Sequence, residues 1–278
     1  MAKMITVSDI AKKKAEGRPI SMVTAYDCAM ARIVNEAGID MILVGDSLGN
    51  VILGYSSTIP VTMDDMIHHT AAVMRGNDRC MVVGDMPFMS YQADVAEAVR
   101  NGGRLLKEGG CAAVKLEGGR EAAPMVKKMV EAGIPVCGHI GLTPQSVNAL
   151  GGFKVQGKEA ATAKKIMEDA LALEAAGAFA IVLECVPAPL AEKVTESLKR
   201  AATIGIGAGS GCDGQVLVCN DLLGFSTGFC PKFVKKYANV HDVILQAMKD
   251  YKTEVEAGTF PAAEHTFTIS EEVLKKLY

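Results

Sequence analysis

With 278 residues, 49% of them hydrophobic, and a formal net charge of -3, the chain can bury a large core, as one big domain or two small ones. Basic and acidic residues nearly balance, which argues against the footprint of a nucleic-acid binder; the run Lys12, Lys13 and Lys14 reads as a solvated helix face. The first residues lack an apolar secretory core and no apolar run is long enough to span a bilayer, so the sequence predicts a cytoplasmic protein without a membrane partner.

Taken in chain order, short apolar runs predict strands at residues 21–24, 41–44, 80–83, 112–116, 136–139, 180–183, 203–207 and 215–218. Four of them are reached by one repeated grammar, in which a helical pattern ends in acidic and small residues, then a glycine, then the strand: NEAGIDMILVGD, LKEGGCAAVKLEG, VEAGIPVCGHIG and LEAAGAFAIVLEC. Glycine closes the helix C-terminus in a left-handed conformation, and a Val/Ile/Leu-rich run is a strand buried on both faces. Between strands lie amphipathic patterns such as VTMDDMIHHTAAVMRG, where Thr62 with Asp65 predicts an N-terminal cap and Met63, Met66, Ile67 and Val73 a single stripe. Eight strands alternating with helices predict a single (β/α)₈ TIM barrel domain over residues 1–278, with extra N- and C-terminal helices, the latter at 232–258 and 268–278. Only seven residues separate Gly207 from Gln215, so the seventh unit must be abbreviated, and an open doubly wound sheet is the alternative.

Such barrels do their chemistry at the C-terminal ends of the strands. There the sequence places Asp27, Asp46 with Ser47, Asp85, the same-face pair Lys115 and Glu117, His139 and Glu184. Asp27 alone reads as a helix cap. The others form a crowd of carboxylates around one mouth, which raises their pKa values or demands a cation. Oxygen ligands with one histidine and no clustered thiolates favour a hard divalent ion such as Mg²⁺, held by Asp46 and Asp85. The eight cysteines are scattered without a C-x-x-C pair and read as reduced thiols. GGFKVQGKE imitates a P-loop but has Glu159 where Ser or Thr is needed, and GIGAGSGCDG lacks dinucleotide-binding spacing, leaving a close backbone approach to a substrate or a tight turn. The adjacent His68 and His69 face different directions on a helix and are not joint ligands.

TAYD, ILVGDSLG, VVGDMPF, VKLEGG, GHIGLTPQS, GGFKVQGK, LECVP, IGIGAG, CDGQVLV, DLLG, KFVKKYA and FP followed by HTF run in order from about Thr24 to about Phe267. In these the chain closely resembles the ketopantoate hydroxymethyltransferase family, departing from it at Asn220, where a histidine is usual, and at Phe153, where a tyrosine is common. The resemblance implies a barrel of the phosphoenolpyruvate and isocitrate lyase group. It implies one-carbon transfer from 5,10-methylenetetrahydrofolate to 3-methyl-2-oxobutanoate, giving 2-dehydropantoate for pantothenate and coenzyme A synthesis. It also implies that Asp46 and Asp85 bind Mg²⁺ with Glu117 supporting it through water, that Ser47 and Lys115 bind the keto acid, that Glu184 is the base and that His139 contacts the nascent hydroxymethyl group. A homo-oligomer, a decamer built from dimers, belongs to the same implication. Two rivals stand beside it: a metal-dependent 2-oxo acid lyase or aldolase working without folate, and an inactive binding barrel, which would have lost a strand-end acid.

Overall fold

The computed structural model describes residues 3–225, 228 and 230–278. Eight parallel strands close into a barrel in chain order: β1 (Ile20–Thr24), β2 (Met41–Val44), β3 (Met81–Asp85), β4 (Ala113–Lys115), β5 (Val136–Gly141), β6 (Ala180–Glu184), β7 (Ala202–Ile206) and β8 (Gly214–Leu217). Closure is made by β1 against β8, with Ile20 opposite Gly214 and Val23 opposite Leu217. The open sheet is thereby excluded, and the expected abbreviation is seen: no helix lies between β7 and β8. Gly214 makes that short connection fit, because a Cβ there would stand 2.5 Å from the Ile20 carbonyl oxygen. The close backbone approach in the glycine-rich stretch is therefore strand against strand.

Inward-facing positions follow the period of two that the pleat imposes. Ile20 and Met22, Met41 and Leu43, Met81 and Val83, Ala113, Cys137, Ala180 and Val182, Ala202 and Ile204, and Val216 form one buried cluster. Ile10, from the N-terminal helix Val7–Ala15, joins the same cluster and is fully buried. Ion pairs tie this helix to strand ends, Lys13 Nζ to Asp40 Oδ2 at 2.6 Å and Lys14 Nζ to Asp213 Oδ2 at 2.8 Å. Asp40 Oδ2 also accepts from the Ser21 amide and hydroxyl, both at 2.9 Å. Burial pushes the Asp40 carboxyl up, but the Lys13 ammonium and the Ser21 donors outweigh it and hold it below the usual carboxylate range. A depressed folded-state pKa stabilises above the unfolded value of about 4 and is lost as pH falls through the folded one. Asp40→Asn is expected to lower stability by about 1.5–3 kcal/mol at pH 7, with the difference from wild type narrowing at pH 3. Urea denaturation at both pH values checks this, and an equal loss at both would contradict it.

The capping box of Thr62 and Asp65 is present on the helix Met63–Met74, whose fully buried residues are Met66, Thr70 and Val73. Asp27 caps the helix Cys28–Glu36 by accepting from the Met30 amide at 2.8 Å.

The described residues group into two compact units, the first running up to Cys219 together with Pro231–Val234, the second comprising Asn220–Cys230 and Lys235–Tyr278. In the second unit the helix Val240–Ala257 begins eight residues later than position 232. Residues 235–239 turn instead, since the Tyr237 amide bonds the Leu222 carbonyl and the His241 amide that of Gly224. The expected helix at 268–278 shortens to Glu271–Leu274. Among the described residues no helix is long and apolar enough to cross a membrane.

Candidate active site

The core phase of the strands, continued by one step, delivers the site. Asp85 is two residues beyond Val83, Lys115 two beyond Ala113, His139 two beyond Cys137 and Glu184 two beyond Val182, so each turns inward above the apolar layer. Glu117 continues the phase of Lys115, while Leu116 between them is fully buried on the other face. Asp46 differs. Leu43 pairs with Val83 and Val44 with Gly84, so Asp46 lies one step past the level of Asp85, in the turn after β2. The two Val-Gly-Asp segments are therefore not equivalent, and the offset lets the Asp46 amide donate to Asp85 Oδ2 at 3.2 Å.

Side-chain contacts connect the group. Lys115 Nζ donates to both Asp85 oxygens at 2.7 Å and stands 4.0 Å from Glu117 Oε1. His139 Nδ1 lies 3.3 Å from Glu117 Oε1 and its Nε2 3.4 Å from Glu184 Oε2, contacts whose alignment falls short of hydrogen bonds. Ser47 is tethered differently, with its Oγ 2.9 Å from the Tyr26 hydroxyl. Glu184 is the most open of the six ionisable side chains, at 17% exposure against 2–4% for Asp85, Lys115, Glu117 and His139 in their ion pairs. Two backbone features set it there. At Gly141 φ is +93°, and a Cβ would stand 2.3 Å from the Glu184 carbonyl oxygen, so β5 and β6 end in near contact. Cys185 takes a left-handed φ of 50°, its amide bonding the Ile206 carbonyl and its carbonyl accepting from the Gln156 amide, both at 2.9 Å. The P-loop lookalike thus lies beside the end of β6, in a segment with no preceding strand.

Burial, together with the charges of Asp85 and Glu117, raises the Asp46 carboxyl well above the ordinary range. Burial raises Asp85 as well, against the opposing pull of Lys115. Glu117 is lowered, because His139 and Lys115 outweigh its burial. Burial pulls the His139 imidazole down, yet the carboxylates of Glu117 and Glu184 lift it to about 9. Raised carboxyls at Asp46 and Asp85 mark acids crowded together with too little positive charge beside them, a shortfall that a divalent cation would relieve.

Among the described residues no three His, Cys, Asp or Glu side chains converge closely enough to coordinate one ion. Carboxylate oxygens such as those of Asp46 and Asp85 suit a hard cation that keeps several waters, as Mg²⁺ does.

The structure adds residues that the strand-end inventory missed. Gln145, in the turn Pro144–Ser146 after β5, donates from Nε2 to Asp46 Oδ2 at 2.9 Å, and its backbone amide donates to Glu117 Oε2 at 3.0 Å. The Tyr91 hydroxyl stands 2.8 Å from Gln145 Oε1 and accepts from the Glu117 amide at 3.0 Å. Tyr26 holds Ser47. The signal for Gln145 was its place in GHIGLTPQS; its uncharged side chain sets it apart from the ionisable residues at the strand ends. His69 serves the scaffold, its Nδ1 lying 2.7 Å from the Tyr26 carbonyl oxygen, while His68 is exposed.

Solved structures share this barrel. A phosphonopyruvate hydrolase complexed with oxalate and Mg²⁺ superposes with a TM-score of 0.60 at 11% identity, covering 97% of this chain and 94% of that one. A 2,3-dimethylmalate lyase, a member of the PEP mutase/isocitrate lyase superfamily, gives 0.58 at 14%, covering 99% and 95%. At such identities the likeness is one of fold. Sequence relatives carry further: a 3-methyl-2-oxobutanoate hydroxymethyltransferase of Syntrophomonas wolfei is 63% identical over 274 residues, covering 99% of each chain. One of the same name from Syntrophus aciditrophicus is 63% identical over 263 residues, 95% of this chain and 96% of that one. The sequence profile of ketopantoate hydroxymethyltransferases matches residues 4–263, all eight strands and the helix Val240–Ala257, and the chain belongs to that family.

Proposed function

We propose that the strand-end cluster carries the family's reaction, adding a hydroxymethyl group at C3 of 3-methyl-2-oxobutanoate to give 2-dehydropantoate, with 5,10-methylenetetrahydrofolate as the one-carbon donor. The observation that supports this reading best is a partly exposed carboxylate, Glu184, joined through His139 to a buried cluster of opposite charges.

New carbon-carbon bond formation at C3 requires loss of the C3 proton. Glu184 takes that proton, and the electron pair spreads onto the C2 oxygen. Mg²⁺ held by Asp46 and Asp85 would supply Lewis acidity toward the keto acid's oxygens. Lys115 contributes a fixed positive charge to the same mouth, and its two bonds to Asp85 hold it in place without reorganisation during reaction. His139, between Glu117 and Glu184, orients the base, and Ser47, fixed by Tyr26, offers a hydroxyl to the substrate carboxylate. Water adds to the folate methylene carbon as its two carbon-nitrogen bonds break, its two protons going to the two folate nitrogens; C3 then bonds to the formaldehyde carbon so released, and the new alkoxide oxygen takes up the proton held by Glu184.

The purified protein with 3-methyl-2-oxobutanoate and Mg²⁺ should form 2-dehydropantoate only when methylenetetrahydrofolate is added. Carbon-carbon bond formation or cleavage on a 2-oxo acid without folate would favour the folate-free lyase. Self-association goes with this reading, a decamer being the expected form. The helix Val240–Ala257 supports it by exposing Ile244, Met248, Tyr251 and Val255 along one apolar stripe, with no buried residue on the helix. Sedimentation velocity showing monomer alone would contradict it.

A further inference from the structure

We propose that Gln145 is a positioning residue that fixes the Asp46 carboxylate so that one oxygen remains directed to a divalent cation, and that Tyr91 in turn fixes Gln145. The inference rests on the reading that Asp46 and Asp85 hold that cation.

Gln145 is 3% exposed, and its amide uses its full hydrogen-bonding capacity. Nε2 donates to Asp46 Oδ2 and to the Met86 carbonyl oxygen, each at 2.9 Å. Oε1 accepts from Gln92 Nε2 at 3.2 Å and faces the Tyr91 hydroxyl at 2.8 Å. The amide has one workable orientation. Its nitrogen must face the Met86 carbonyl and the Asp46 carboxylate, which only accept, since the reversed amide would set oxygen against oxygen on both.

The Tyr91 hydroxyl is similarly constrained. It accepts the Glu117 amide at 3.0 Å, which leaves its single proton for Gln145 Oε1 at 2.8 Å or the Glu117 carbonyl oxygen at 3.0 Å. With the Gln145 backbone amide on Glu117 Oε2, one buried chain of bonds spans Glu117, Tyr91, Gln145 and Asp46.

An uncharged donor has a specific advantage at this position. Asp46 already faces the repulsion of Asp85 and Glu117. An amide holds one of its oxygens without neutralising the carboxylate, whereas a lysine would compete with the cation for it. Partners that orient a metal-binding carboxylate in this way are worth about 10–100-fold in metal affinity.

The test is Mn²⁺ binding to the purified, substrate-free enzyme, followed by the EPR signal of the free ion, for wild type, Asp46→Asn, Gln145→Ala and Tyr91→Phe. Circular dichroism checks that each variant is folded. Gln145→Ala is expected to weaken Mn²⁺ binding about 10–100-fold, with Tyr91→Phe at the low end of that range, about 10-fold. In turnover, the Mn²⁺ concentration for half-maximal rate should rise by the same factor, while kcat at saturating Mn²⁺ stays within severalfold of wild type. A folded Gln145→Ala protein with wild-type Mn²⁺ affinity overturns the proposal; if that variant does not fold, wild-type affinity in Tyr91→Phe does so. Asp46→Asn separates the two readings. Wild-type affinity in Asp46→Asn removes Asp46 from the cation site and the positioning role with it, whereas lost affinity there, with Gln145→Ala unchanged, removes the positioning role alone.

Discussion

Glu184→Gln is expected to lose hydroxymethyl transfer by about 10²–10⁴-fold, the range for removal of a general base, while still binding 3-methyl-2-oxobutanoate within severalfold of wild type. The substitution keeps the shape of the side chain and an oxygen that His139 Nε2, now 3.4 Å from the carboxylate, can face. It removes only the capacity to take up a proton. Glu184 meets the buried group through His139, while Asp46, Asp85 and Lys115 are held by their own bonds, so the fold and the arrangement of those three should persist. Steady-state rates together with calorimetric titration of the keto acid measure both halves. Turnover within 10-fold of wild type would assign proton abstraction to another group.

Lys115→Met is expected to do damage of a different kind, lowering stability as well as rate. Asp85 is 1% exposed and receives both of its 2.7 Å bonds from Lys115, so the variant leaves a buried carboxylate without its counter-charge. Breaking such a pair by removing one partner costs about 3–5 kcal/mol, roughly 10 °C in melting temperature for a chain of this size. Two further observations identify the cause. Unpaired, Asp85 becomes costly only when ionised, so its folded-state pKa rises further and the deficit should shrink as pH falls and the carboxyl takes up a proton. Mg²⁺ should raise the melting temperature more in the variant than in wild type, because the cation then has no ammonium to share Asp85 with. Turnover should fall by at least about 10²-fold, as when one preorganised charge-stabilising donor is removed. Thermal melts across pH, with and without Mg²⁺, check the set, and a wild-type melting temperature in the variant would contradict it.

The barrel was legible because its signals are local. A glycine closing the helix before four of the strands and an apolar run beginning each strand specify the βα repeat without reference to anything distant, and the short seventh connection was visible by counting residues between Gly207 and Gln215. The inward phase of Lys115 and Glu117 followed from their spacing, and the structure shows it. Asp46 was legible as a strand-end acid but not as a turn residue, since its level against Asp85 depends on the pairing of β2 with β3. Gln145 and Tyr91 were hidden for a related reason. Their importance comes from bonds to Asp46 and Glu117, residues 99 and 26 positions away in the chain, and no local pattern marks a neutral side chain as the partner of a distant carboxylate. The C-terminal segment misled because residues 232–239 have helical composition, while the bonds that turn them run back to Leu222 and Gly224.

The central claim is that the strand-end cluster removes the C3 proton of 3-methyl-2-oxobutanoate. Exchange of that proton for deuterium, followed by NMR with and without Mg²⁺ and in the absence of folate, tests it most directly. Metal-dependent exchange by the wild-type enzyme, lost in Glu184→Gln, is the predicted result; no exchange under either condition would mean that these acids do not enolise this substrate.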